Sequence, residues 1–204
     1  MKKLLVLLFS IFFLSSPSVF AEDLSDFQIE GISIGDSLLD YMTEDEILKE
    51  IELNKNDYYY LNEPNKYSEI YTNKNLQSYG SVAFIVKNTP TSEYITNKNE
   101  KYIIVSIRGL IDYTGDFDGC VEKRDEIAKD ISKVFPNARK TEDFFEHSVD
   151  GTIVDAVYFE FDSGGRSEVS CMDYEETYRI EMNWIDNLSV SIDPEEIVSW
   201  LEDY

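Results

Sequence analysis

The last third of the chain alternates apolar and polar residues, and this is the feature that most narrowly restricts its fold. Successive side chains of a strand point to opposite faces of a sheet, so a period of two predicts strands with one face against a core and one in water. Turn residues such as Ser163-Gly164-Gly165 and Asp186-Asn187 separate the strands. The apolar positions are Val157, Phe159, Phe161; Val169, Cys171; Tyr178, Ile180, Met182; and Leu188, Val190, Ile192. We therefore expect a C-terminal four-strand antiparallel meander.

Two earlier segments have the marks of helices. Thr43-Glu44-Asp45-Glu46 is a capping box, which predicts a helix that runs to about Glu52. From Cys120 to Phe135 apolar residues recur at helical spacing. Asp118 is placed to cap this second helix, and Pro136 ends it.

A third helix should follow the meander, because Asp193-Pro194-Glu195-Glu196 has a capping acid, proline at the first helical position and glutamate at the third. Its inward-facing residues would be Ile197, Trp200, Leu201 and Tyr204. Residues 27–34 and 102–111 read as further strands, and residues 88–100 as an exposed loop. The expected fold is α+β, a mainly antiparallel sheet with about three helices packed on one side.

The N-terminus has the three parts of a signal peptide. Lys2 and Lys3 supply the positive charge, Leu4 to Leu14 the apolar stretch, and Val19-Phe20-Ala21 the small residues of a cleavage site. A membrane anchor is the alternative, but the apolar stretch is shorter than the roughly 20 residues that span a bilayer. We expect residues 1–21 to be cleaved and residues 22–204 to form one soluble, exported domain with no membrane insertion.

Two cysteines remain after that cleavage, Cys120 and Cys171. An exported chain meets an oxidising environment, in which such a pair usually closes, so we predict one disulfide. Two free thiols or a metal pair is the alternative, but two cysteines and the single His147 make a poor zinc set. We therefore expect no metal and no cofactor.

The charge excludes some partners. The chain has 41 acidic and 18 basic residues and a net charge of −23. Phosphate backbones and anionic lipids need Lys and Arg contacts, so nucleic acid is not an expected partner. An acidic excess either recruits cations and basic partners or simply keeps the surface solvated.

One short motif suggests catalysis. Gly35-Asp36-Ser37-Leu38 resembles the first block of the GDSL esterases and lipases, in which the serine is the nucleophile. That resemblance would make Ser37 catalytic, but the family's Asp-x-x-His block near the C-terminus is missing. The only histidine, His147, is followed by 57 residues and lacks that spacing. A serine without its base is not a triad, so Ser37 is an alternative only.

Two other segments carry weaker signals. Residues 114–125, with Asp116 and Asp118 before Gly119, resemble the middle of an EF-hand loop, but Thr114 and Asp125 stand where stronger ligands belong. A calcium-stabilised envelope protein is thus a second alternative. Residues 58–60, all tyrosine, form either an aromatic platform for a sugar or peptide or ordinary packing.

A broader resemblance covers most of the mature chain. The segment from Phe27 to Tyr41, the two cysteines, and the closing Asp186-Asn-Leu-Ser-Val and Trp200-Leu201 resemble small exported proteins of unknown function from marine alphaproteobacteria of the Pelagibacter type. This resemblance implies a Gram-negative periplasm and no particular activity. Since no complete catalytic set is present, we expect a non-catalytic binding or interaction module for an unknown protein or small-molecule ligand.

Overall fold

The computed structural model describes residues 24, 27–61, 66–88, 100–147 and 151–203. The expected signal peptide, most of the loop at 88–100 and Tyr204 lie outside these residues. Within them, no helix combines the length and apolar character needed to cross a membrane. The architecture is α+β and mostly sheet, as predicted.

A seven-stranded antiparallel sheet forms the centre of the described structure, in the order β3-β4-β5-β9-β8-β7-β6. Its strands are β3 (Tyr67–Thr72), β4 (Ser81–Lys87), β5 (Ile104–Asp112), β6 (Arg139–Glu146), β7 (Ile153–Glu160), β8 (Arg166–Asp173) and β9 (Asn187–Asp193). Near the N-terminus, β1 (Gln28–Ile29) and β2 (Ile32–Ser33) form a separate two-stranded hairpin. The predicted strand at 27–34 is thus two short strands around a turn with Gly31 at φ +78°.

Four α-helices are described where about three were expected: α1 (Glu44–Asn54), α2 (Phe117–Val134), α3 (Glu176–Met182) and α4 (Glu195–Glu202). They do not share one side of the sheet. The α1 and α2 helices pack on the face that carries Ile70, Phe84 and Val190. The α4 helix packs through Ile197 and Trp200 on the opposite face.

The predicted caps are right in one helix and displaced in two. Thr43 and Glu46 form both hydrogen bonds of the capping box of α1. In α2 the cap is Asp116, whose Oδ1 accepts from the Gly119 amide at 3.1 Å, and Asp118 already lies in the first turn. In α4 the cap position is Pro194, without a side-chain hydrogen bond, because the carboxylate of Asp193 points into the sheet.

The meander was wrong at its third strand. Tyr178, Ile180 and Met182 lie on α3, which begins with the Glu175 carboxylate accepting from the Tyr178 amide and ends at Asn183 in the left-handed conformation. The segment is too short for the spacing of its apolar residues to distinguish a strand from a helix. The caps at both ends favour the helix. The four C-terminal strands of the sheet are instead β6 to β9, with α3 inserted between β8 and β9.

We call the side covered by α1 and α2 the helix face. Its core includes Leu188, Val190 and Val169 from the strands and Ala128 and Ile131 from α2. Cys120, at the start of α2, and Cys171, on β8, lie here at disulfide distance, with 2.01 Å between the sulfur atoms. The predicted pairing therefore ties α2 to the sheet.

Candidate functional site: a polar sheet face

The other side of the sheet, which we call the polar face, is buried without being apolar. All seven residues of β9 are buried. Ser189 and Ser191, which alternate with the core residues, were predicted to face water, and this prediction is wrong. The polar face is defined by side chains from six strands. These are Tyr67, Glu69, Tyr71, Ile85, Ser106, Arg108, Tyr158, Arg166, Glu168, Ser170, Asn187, Ser189, Ser191 and Asp193.

Arg108 occupies the centre of this face. The register places Arg108 opposite Ser191, which is opposite Glu168 on β8. On its other side, Arg108 pairs with Ala83, which pairs with Tyr71 on β3. Burial disfavours the charge of Arg108, but the carboxylates of Glu168, Asp193 and Glu69 outweigh that penalty and raise the pKa of the guanidinium. Arg108 is therefore a half-buried cation held between acids on both sides.

Asp193 links the central strands by accepting two hydrogen bonds. The hydroxyl of Ser106 on β5 donates to Oδ1 at 2.5 Å, and the hydroxyl of Ser191 donates to Oδ2 at 3.0 Å. Both oxygens are thus satisfied, and Asp193 is only 3% exposed. Since buried polar groups are costly unless paired, this network explains how charge is tolerated between β5 and β9.

Glu69, on the edge strand β3, is not satisfied in the same way. Its side chain is 9% exposed, and its Oε2 atom is buried without a hydrogen-bond partner. Burial raises the pKa of Glu69 first; Arg108 and a hydrogen bond from Tyr71 oppose that effect, and Asp57 adds to it. The position thus holds a buried carboxylate whose hydrogen-bonding capacity exceeds what the described residues supply.

Three further buried atoms without hydrogen-bond partners lie on the same face. They are Nε of Arg166, Oγ of Ser170 and Oδ1 of Asn187. Each such atom costs about 1–3 kcal/mol when nothing replaces its lost contact with water. Ser170 is fully buried, and the register places it beside Ser189. The polar face therefore presents donors and acceptors that a bound polar molecule would satisfy.

Tyrosines surround the central arginine. Tyr58 directly precedes the short 3₁₀ turn Tyr59–Leu61. It interacts electrostatically with Glu69, Arg108 and Tyr174. Burial and the Glu69 carboxylate raise the pKa of Tyr58 to about 12 although 37% of the residue is exposed. On β7, burial and Glu168 raise the pKa of Tyr158 to about 12.

The tyrosine triplet at 58–60 is only partly a packing feature. The rings of Tyr58 and Tyr60 stack with centroids 5.0 Å apart. Tyr60 then meets Trp200 of α4 edge-on at 5.2 Å, and Trp200 meets Tyr67 at 4.6 Å. These contacts anchor Tyr60 in the core under α4 and leave Tyr58 at the rim of the polar face.

The structure places Ser37 away from this face and away from His147. Ser37 is 3% exposed, caps a 3₁₀ turn, and donates to the carbonyl of Lys101 at 2.8 Å. It bridges Ile103 beside the start of β5, whereas His147 follows β6, four strand positions away and at the end of the sheet where β5 finishes. The geometry favours a structural role for Ser37.

The proposed calcium segment is used by the fold. The Asp112 carboxylate accepts from the Thr114 amide at 2.8 Å, and Asp116 caps α2. Among the described residues, no group of three or more His, Cys, Asp or Glu side chains is arranged to hold a metal ion. Residues 114–125 are thus a turn followed by a helix start.

Sequence reasoning missed the residues of the polar face. One signal was available, because Ser106 and Arg108 interrupt the apolar residues of the strand Ile104–Asp112. Glu69 and Ser170 give no such signal because polar residues alternating with apolar ones are normally exposed. No protein-family model, curated protein or solved structure matches the chain.

Proposed function

We propose that this protein is an exported, non-catalytic binding protein that holds a small polar molecule against the polar face, in a Gram-negative periplasm. The observation that carries the proposal is the set of buried, unpartnered polar atoms on that face: Glu69 Oε2, Arg166 Nε, Ser170 Oγ and Asn187 Oδ1. Native proteins pair almost all such groups with protein or ordered water, so several unpaired atoms on one surface call for an explanation, and a bound polar molecule provides one.

Two further features support a ligand site. Arg108 and the tyrosines combine charged, hydrogen-bonding and aromatic groups, the mixture that fixes small molecules in orientation. The Cys120–Cys171 pair at disulfide distance fits a protein that works in an oxidising compartment.

The test is a thermal-shift screen of the purified mature protein against small polar amines, acids, sugars and polyols. Ligands that raise the melting temperature are then mapped by amide chemical-shift changes in NMR spectra. We expect changes on the polar face, at Glu69, Arg108 or Ser170, and none along α2. Changes confined to the helix face, or a screen in which no compound raises the melting temperature, would contradict the proposal.

A separate assay distinguishes binding from catalysis at the alternative site, Ser37. Short-chain aryl esters incubated with the protein and with the Ser37→Ala variant report any serine-dependent turnover. We expect no difference between the two, because the Ser37 hydroxyl is committed to the Lys101 carbonyl. Turnover that disappears in the variant would replace the binding proposal with a hydrolase.

A further inference from the structure

The chemical class of the ligand can be inferred from the Glu69 end of the polar face. We infer that this end, formed by Glu69, Asp57, Tyr58 and Tyr71, binds the ammonium group of a small organic amine. The inference rests on the proposed function and adds the identity of the group that is recognised.

Glu69 carries a buried acceptor atom that the described residues leave unsatisfied. Oε2 of Glu69 is buried without a partner, whereas the same carboxylate receives a hydrogen bond from the Tyr71 hydroxyl. A carboxylate accepts hydrogen bonds and donates none, so the missing partner is a donor. Charged donors make the strongest such bonds, and an ammonium group brings three.

The local charge around Glu69 favours a positively charged ligand. Asp57 adds a second negative charge near Glu69, whereas Arg108 is the positive group among the described residues that acts on it. Arg108 is shared between Glu69 and two further carboxylates, those of Glu168 and Asp193. The Glu69 end is therefore left net negative and favours a cation over a neutral or anionic group.

The tyrosine rings near Glu69 also favour an organic cation. Tyr58 lies within electrostatic reach of Glu69 and stacks on Tyr60, so the rings are held in place. Aromatic faces attract organic cations, and a carboxylate combined with tyrosine rings is a common way to recognise ammonium groups. A metal ion fits less well, because no set of three ligating side chains converges among the described residues.

The experiment compares three four-carbon probes by isothermal titration calorimetry at low salt: 1,4-diaminobutane, 1,4-butanediol and succinate. They share a length and differ in charge. We expect the diamine to bind and the other two to give no measurable heat. Equal binding of the diol, or binding of succinate alone, would overturn the ammonium assignment while leaving a ligand site on the polar face.

Variants then test the residues. Glu69→Gln keeps the shape of the side chain and removes its charge, and it should weaken diamine binding about tenfold or more. Glu142→Gln makes the same change in net charge on the exposed strand β6, at the opposite edge of the sheet from Glu69. It should alter affinity less than about twofold because charges so far apart interact weakly through water. Amide NMR spectra verify that both variants are folded.

The failure modes are distinct. If Glu69→Gln and Glu142→Gln weaken diamine binding equally, the protein attracts amines through its overall charge and the inference is wrong. If the diamine does not bind but another compound from the screen shifts Arg108 and Ser170, the proposed function stands and the inference is wrong. If no compound acts on this face, both are wrong.

Discussion

The two faces of β9 are buried to the same degree and built from opposite chemistry. Leu188, Val190 and Ile192 face α1, α2 and their core, whereas Ser189, Ser191 and Asp193 face the other way, and all six are at most 3% exposed. On the helix face burial is favourable in itself. On the polar face burial is tolerated only where hydrogen bonds replace water. The difference teaches that both sides of a strand can be inaccessible to water while only one of them is apolar.

The largest loss of stability should come from the disulfide on the helix face. Replacing Cys120 and Cys171, which are separated by 51 residues, with serine frees the unfolded chain and should lower the free energy of unfolding by about 4 kcal/mol. Urea denaturation of both proteins measures the change. A loss below about 1 kcal/mol would show that packing alone fixes α2 on the sheet.

Truncating one core residue should cost somewhat less and should show the contrast within a single strand. Leu188→Ala removes fully buried carbons from the helix face and should cost about 3 kcal/mol. Ser189→Ala changes the next residue, 2% exposed but on the polar face, and should cost less than about 1 kcal/mol. Comparable losses from both, measured by urea denaturation, would contradict the division into two faces.

A smaller loss is expected where the polar face is well paired. Asp193→Ala leaves two buried hydroxyls without their acceptor and removes a carboxylate from Arg108, so it should cost about 2 kcal/mol. Asp162→Ala removes an exposed acid and is the matched control, with a change within about 0.5 kcal/mol. An unchanged melting temperature for Asp193→Ala would mean that the network is not stabilising.

The smallest effect should be a gain, at the poorly paired end of the same face. A carboxyl with a raised pKa in the folded state holds its proton more tightly than in the unfolded chain. Glu69 therefore favours folding below its ordinary value of 4.5, and this contribution is lost as the pH rises through that value towards the folded pKa. Glu69→Gln removes the dependence, so the variant should gain stability relative to the wild type between pH 4 and pH 7. A relative loss over that interval would show that Arg108 already compensates Glu69.

Much of the scaffold could be predicted from sequence. The capping box of α1, the amphipathic pattern of α2 and the alternation in β7, β8 and β9 are local signals of partial burial, and each is found in the structure. The cysteine pairing followed from the count and the expected compartment.

The missed elements lack such signals for physical reasons. The strand β6 is exposed along its whole length and is rich in charge, as befits an edge strand, so it has no buried face to create a pattern. In α3, Ile180 is 65% and Met182 is 47% exposed, so their spacing did not report a core. Seven residues are too few to distinguish a period of two from 3.6 when neither face is buried.

The candidate site was missed because its residues resemble ordinary exposed ones. Serine and glutamate at alternate strand positions predict a wetted face. Only the pairing of β5 with β9, and of β9 with β8, reveals that Arg108, Ser191 and Glu168 lie in one row. That pairing joins residues about 80 apart in sequence, and no local pattern encodes it.

The central place of β9 in the sheet has a consequence for the order of folding. The strands β3 to β5 pair with one another, as do β6 to β8, but β9 is the only described strand that joins the two groups. It follows all of them along the chain, so neither the complete sheet nor the row around Arg108 can assemble until β9 has been synthesised. Contacts between residues so distant in sequence form slowly. We therefore expect the two halves of the sheet to remain separate until the last strand arrives to join them.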